Sequence, residues 1–471
     1  MRILLVSANQ EQSPDPVAPI GLAYVATATA DAGHDVHVVD LCFADDVERA
    51  VADAARAFRP DAIGIALRNV DNAAWPQVVS YLPHYRRVVA ACRAATAAPI
   101  VLGGSAFTTM PAYYLPRLDV DLGVVGEGEV AFPALLARLA AGADVRDVGG
   151  VAWRDPARGA VHVTPPAWLP SLDGLRLDRR WMDVRTYFER GGMANLQTKR
   201  GCHFKCTFCA YPVIEGRGMR TRDPRLVAAE VRALLDEHGV DQFFVVDSIF
   251  NAPRGYAEAV AEALAPLGRR IRWSCFVGPG NFTAELCDRL MAAGCQSLDF
   301  GTDAAAPATL RGFRKSFTVD DVHAASRICR ERGLPFQHSL VFGGEGETWE
   351  TVRQTIAAMD ASGATAVNAM CGVRVYPETP LAATLLARGE VASVEALYEP
   401  FFYCAPAVRD GLVEYVAEVA RTRGNWLLPG NRVNDDAALF ARLRGRGLKG
   451  DLWRYLPRVR LGAAIASGGA R

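Results

Sequence analysis

Lys199-Arg200-Gly201-Cys202-His203-Phe204-Lys205-Cys206-Thr207-Phe208-Cys209-Ala210-Tyr211-Pro212 sets the reading of the whole chain. Three cysteines stand in it at Cys-x3-Cys-x2-Cys spacing, just past a β-rich run. Thiolates are the soft ligands that iron–sulfur clusters require, and this spacing lets Cys202, Cys206 and Cys209 reach three corners of one [4Fe–4S] cubane. No fourth cysteine is near, so one iron keeps an open position for a chelating substrate. A zinc site of Cys202, His203, Cys206 and Cys209 is the alternative. Zinc usually draws its ligands from two separated loops, and the adjacent Cys202 and His203 reach one metal poorly.

Outward from this run, strand-like and helix-like segments alternate over residues 191–390. The strands fall near Leu196–Lys199, Gln242–Val246, Arg272–Phe276, Ser297–Gly301, Phe336–Phe342 and Thr365–Val375. Six such units predict a partial (β/α)6 barrel, short of the eight of a closed one. Residues 1–150 alternate in the same way and predict a doubly wound, Rossmann-like parallel sheet, whose ligands sit beyond the carboxyl ends of the strands. Between them, 151–190 is broken by Pro156, Pro165, Pro166 and Pro170 and reads as a linker with a short hairpin around Val151–Val163. Residues 391–471 are aromatic and Arg-rich and are expected to form a mostly helical cap or substrate region. Arg442, Arg444, Arg446, Lys449, Arg454, Arg458 and Arg460 there read as an anion site or as a solvated basic face.

The bulk numbers narrow the function classes. Lys plus Arg equals Asp plus Glu, 52 each, so no global field draws nucleic acid or an anionic membrane. No stretch approaches the roughly 20 apolar residues of a membrane span. Eleven cysteines without an export signal predict reduced thiols and a cytoplasmic setting.

With Phe208 in the aromatic place, the cysteine run resembles the defining motif of the radical S-adenosylmethionine (SAM) superfamily. The resemblance implies that Cys202, Cys206 and Cys209 are the catalytic cluster ligands and that the open iron chelates SAM. Four later segments resemble the family's SAM-binding strand ends. They are Val245–Asn251 with Asp247 and Ser248, Leu298–Asp303 with Asp303 for the ribose, Ser339–Thr348 with Gly343, Gly344 and Glu345, and Val373–Pro377 with Val375. Phe208 completes the SAM contacts implied.

Residues 1–150 look like the cobalamin-binding domain of one radical SAM class. The matches are Pro19–Tyr24, Gly33–Val36, Gly103–Phe107 and Val125–Glu129. They imply cobalamin contacts from Gly21, Gly103, Gly104, Ser105, Phe107, Gly126, Glu127 and Gly128. The usual Asp-x-His-x-x-Gly is missing after the first strand, and Arg68 is the candidate for the lower face of cobalt; an ion pair with Asp71 is its other reading. His34 and His37 read as ordinary surface or strand residues. The resemblance implies a cobalamin-dependent radical SAM enzyme that C-methylates an unactivated carbon of a small molecule, through a 5′-deoxyadenosyl radical and methylcobalamin. A flavodoxin- or ferredoxin-type donor would supply the electron. Cyclisation or rearrangement without methylation stays open. More remote readings are a tRNA methylthiotransferase, for which residues 1–150 offer only Cys42 and Cys92, and a non-enzymatic cobalamin sensor.

Overall fold

The computed structural model describes residues 1–429 and 437–456. Arg458, Arg460 and the tail Leu461–Arg471 lie outside the described residues. Among the described residues no helix is long and apolar enough to cross a membrane.

The first sheet contains β1 (Arg2–Ser7), β2 (Asp35–Asp40), β3 (Ala62–Ala66), β4 (Ile100–Gly103), β5 (Leu122–Val124), β6 (Val151–Arg154) and β7 (Val161–Val163). Their order is β2-β1-β3-β4-β5-β6-β7, parallel as far as β5. The apolar run of β1 is explained by helices on both faces. Ile3 and Leu5 pack with helices Ile20–Asp31 and Gly128–Ala140, while Leu4 and Val6 pack with Val47–Phe58 and Leu82–Ala95. The chain leaves β1 toward β2 on one side and leaves β3 toward β4 on the other, which opens a crevice between the carboxyl ends of β1 and β3. The hairpin β6–β7 pairs antiparallel onto β5 and so belongs to this sheet rather than to a linker. Val151 and Ala152 are fully buried; Pro156 falls in the turn between β6 and β7, and Pro165, Pro166 and Pro170 come after β7.

The second sheet carries the cluster motif. It comprises β8 (Ala194–Leu196), β11 (Gln242–Val245), β12 (Arg272–Val277), β13 (Cys295–Asp303), β14 (Phe336–Phe342), β15 (Ala366–Cys371) and β18 (Trp426–Leu427). All run parallel in the order β18-β15-β14-β13-β12-β11-β8. Two short ribbons flank it, β9 (Lys199–Arg200) with β10 (Arg220–Thr221), and β16 (Val373–Arg374) with β17 (Phe402–Tyr403). Strand neighbours in chain order are the winding of an open barrel. In β13, Leu298 and Phe300 turn to the helix layer, while Asp299 bonds to Gln337 and Ser339 across the strands. Burial pushes the Asp299 carboxyl up to about 7.

The C-terminal region departs from the expected cap. Trp426–Leu427 adds a seventh strand, and residues 437–456 close the amino ends of the barrel strands, away from the cysteines. Gly450 N–H donates to Gly192 O just before β8, Ser297 Oγ to Asp451, and Arg454 to Gln296. Arg444 pairs with Asp15, and Lys449 Nζ donates to Phe188 O. These cations fasten the barrel floor to its surroundings rather than facing a substrate mouth.

Candidate active site

The cysteine loop is held by backbone bonds at both ends. Cys202 N–H donates to Gly216 O at 3.1 Å, and Thr207 N–H to Phe313 O at 3.1 Å. Gly201 takes φ +85°, and a Cβ there would lie 2.0 Å from Gly218 O, so only glycine fits the entry to the loop. Asp247, 1% exposed, accepts from Thr198 N–H, Thr198 Oγ1 and Lys199 N–H and fixes the turn leading into the loop.

Cys202, Cys206 and Cys209 all line one cavity of about 490 Å³ at the carboxyl ends of β11, β12 and β13. Phe208, Ser248 and Asp303 line it with them. Ser248 Oγ is buried there with no partner, as a group meant for a ligand would be. Among the described residues no three His, Cys, Asp or Glu side chains converge on a single-ion site. A cubane does not ask for convergence, since each thiolate meets a different iron. The donor set and the orphaned hydroxyl fit a cluster with SAM beside it.

Five of the implied SAM contacts stand elsewhere. Asp247 is spent on the turn just described. The N–H groups of Gly343 and Gly344 are both taken by the Glu347 carboxylate, and Glu345 pairs with Arg388. Val375 is fully buried, its N–H donating to Phe401 O and its carbonyl accepting from Arg374. The Asp303 carboxylate, near the ring of thiols, is ion-paired with Lys315, which also lines the cavity. Sequence reasoning missed Lys315 and Asn281, and within Val245–Asn251 it did not single out Asn251, because nothing in their local spacing sets them apart from loop residues.

A second cavity, about 350 Å³, opens at the crevice between the two domains. Gly21, Arg68, Gly103, Gly104, Ser105, Gly126, Glu127 and Gly128 all line it, and no histidine does. It continues inward as an apolar slot past Leu5, Val25, Val101, Val124 and Phe132. A Cβ on Gly64 in that slot would lie 2.6 Å from Leu5 Cδ2, so the space exists because the side chain is absent. Asn195, from β8, brings a buried Oδ1 without a partner to the same cavity. A flat ligand with a narrow tail and amide donors fits this shape and these groups. Phe107 departs from expectation: fully buried, its ring fills the space beneath Gly123. Asp71 pairs with Arg374 of the barrel at 2.8 Å instead of with Arg68. Among the described residues Arg68 has no acidic partner. His34 and His37 lie outside the cavity, against the N-terminal amine and the Phe58 ring.

The two cavities share a wall. Directly after Cys209, helix Tyr211–Glu215 presents Tyr211 to the cysteine cavity and Ile214 and Glu215 to the other. Glu215 accepts from Gly201 N–H, and burial pushes its carboxyl up to about 7. Beside the wall, Arg200 reaches Glu127 at 3.1 Å and Glu129 at 2.6 Å, and Arg220 reaches Glu127 at 2.7 Å, all buried across the domain boundary.

Residues 10–136 match the family model of the B12 binding domain, and residues 196–359 match that of the radical SAM superfamily. The chain is a radical SAM enzyme of the class with an N-terminal cobalamin-binding domain. It is 27% identical over 441 residues to the tryptophan 2-C-methyltransferase of Streptomyces laurentii, covering 80% of this chain and 73% of that one. The solved methyltransferase TsrM of Kitasatospora setae, with cobalamin and a [4Fe–4S] cluster bound, superposes with TM-score 0.85 at 25% identity over 100% of both chains. Its structure with tryptophan and a SAM analogue gives 0.87 at 26% identity over 99% of both. The cofactors of this radical SAM enzyme are a [4Fe–4S] cluster, SAM and cobalamin.

Proposed function

We propose that this chain is a cobalamin-dependent radical SAM C-methyltransferase acting on a small molecule. The observation that carries the reading is the shared wall: one turn of chain after Cys209 separates the thiol cavity from the interdomain cavity. When bound, the cofactors supply reductive cleavage of SAM and methyl transfer through cobalt. The protein's share is to hold, orient and exclude water. Cys202, Cys206 and Cys209 would hold the cluster, and Ser248 and the Asp303–Lys315 pair would orient SAM. Gly21, Gly103, Gly104, Ser105, Gly126 and Gly128 would admit cobalamin, with Asn195 accepting from a corrin amide. Arg68 would occupy the lower face, where a guanidinium cannot ligate a metal. The unpaired guanidinium and the absence of histidine from the lining support that placement. The reading includes a one-electron protein donor and a cytoplasmic setting, which the eleven free thiols favour.

The test is anaerobic turnover with SAM carrying a labelled methyl group. Reconstituted protein should hold about four irons per chain, bind cobalamin without axial nitrogen splitting in its Co(II) resonance, and give a labelled, methylated product. Cys202→Ala, Cys206→Ala or Cys209→Ala should abolish the cluster absorption while cobalamin still binds. SAM cleavage with substrate consumed and no label transferred would replace methylation by cyclisation or rearrangement.

A further inference from the structure

The loop that carries the three thiols is ringed by cations that the fold does not neutralise. Two segments touch it through backbone, Gly216–Gly218 at Gly201 and Cys202, and Gly312–Phe313 at Thr207, the latter flanked by Arg311 and Arg314. Across residues 201–218 and 311–318 the only carboxylate is Glu215, which faces the interdomain cavity. The basic residues are Lys205, Arg217, Arg311, Arg314 and Lys315. Lys315 is spent on Asp303 inside. The other four are exposed, and among the described residues none has an acidic partner. Elsewhere arginine after arginine is paired within the chain, as Arg87 with Glu48, Arg332 with Asp288 and Arg423 with Asp360. In a chain of 52 cations and 52 anions, an uncompensated collar is a local feature and not overall charge. Two acidic residues stand on adjoining segments. Glu345 has its backbone against Gly312, but its carboxylate pairs with Arg388. Exposed Glu378 stands three residues before the Leu381 N–H that donates to Thr207 O. One unpaired carboxylate against four cations leaves the collar positive.

We propose that this collar is the docking surface for a small acidic one-electron carrier protein, of the flavin or iron–sulfur class. The proposal rests on the assignment of the cluster to Cys202, Cys206 and Cys209. The carrier gives up one electron and the cluster gains it; no bond forms or breaks. Opposite charge speeds such encounters and makes them sensitive to salt. A site built around the thiol loop shortens the path the electron must cross.

The experiment uses cluster-loaded full-length protein and a bacterial flavodoxin. Binding is measured by anaerobic titration at about 50 mM and about 300 mM salt, and cluster reduction by stopped flow with flavodoxin hydroquinone. Wild-type affinity should fall about tenfold between the two salts. Arg311→Glu/Arg314→Glu should lose about tenfold at low salt and lose most of its salt dependence. Its iron content, and its reduction by the methyl viologen radical cation, should match wild type. Equal flavodoxin binding by variant and wild type at low salt would overturn the proposal, and so would bulk tRNA binding more tightly than flavodoxin. Failure of viologen to reduce the wild-type protein would instead bring down the cluster assignment itself, and the docking surface with it.

Discussion

Gly104 has a backbone that no L-residue adopts readily, φ +90° and ψ 174°, between β4 and helix Ser105–Thr109. A Cβ there would lie 2.5 Å from Leu67 O, 2.9 Å from Leu67 N and 3.0 Å from Leu67 C. Leu67 cannot step aside, because its N–H donates to Gly103 O and its carbonyl accepts from Ala106 N–H. The strained conformation costs about 1–3 kcal/mol and the overlap with backbone about 1–3 kcal/mol more. Gly104→Ala should therefore destabilise the first domain by about 2–6 kcal/mol. Gly103→Ala is the control: its Cβ would meet nothing nearer than Val124 O at 3.8 Å, so its effect should stay within about 0.5 kcal/mol. Hydrogen exchange reads this directly, as lost protection of the β3 and β4 amides in Gly104→Ala alone. Cobalamin affinity should fall in step with that loss. A Gly104→Ala protein as stable as wild type that nonetheless fails to bind cobalamin would refute the reasoning, since its Cβ would then point at the ligand and not at Leu67.

Arg200→Gln strips the buried Glu127 and Glu129 of a shared cation. Leaving a buried carboxylate without its partner costs about 3–5 kcal/mol, so proteolysis at the domain boundary should accelerate while Arg185→Gln, on an exposed pair, changes nothing. Burial pushes the Glu347 carboxyl from 4.5 to about 7. The fold therefore holds a proton there that the unfolded chain releases, and stability falls as pH rises from about 4.5 to about 7, by about 3 kcal/mol. Denaturant unfolding across that range should show the slope reduced in Glu347→Gln, and an unchanged slope would remove Glu347 from the account.

What the sequence made legible is local. The six barrel strands fall close to where their apolar runs put them. The cysteine spacing and the Gly-rich strand ends point to two cavities. Partner choice was not legible, because it depends on residues tens to hundreds of positions apart. Asp71 lies beside Arg68 in sequence yet pairs with Arg374, and Val375 looks like a ligand contact until Phe401 takes its N–H. The two-residue strand Trp426–Leu427 is too short to show a period, and the floor contacts of Asp451 and Arg454 follow from tertiary packing alone.

The buried charges at the domain boundary explain how the two cavities keep one separation. Replacing such pairs by well-packed apolar groups often costs no stability, so their net contribution is small. Their value lies in the penalty for misplacement. Glu127 has two arginines and the Leu169 N–H to satisfy, and Arg200 has Glu127, Glu129 and Gln197. Sliding one domain over the other leaves several of these groups buried and unpaired at once, whereas an apolar contact would tolerate the slide. Arg200 stands two residues before Cys202, and Glu127 stands in the loop lining the interdomain cavity. The same pairs that fix the domains therefore fix the thiol loop against that cavity, with helix Tyr211–Glu215 as the spacer between them.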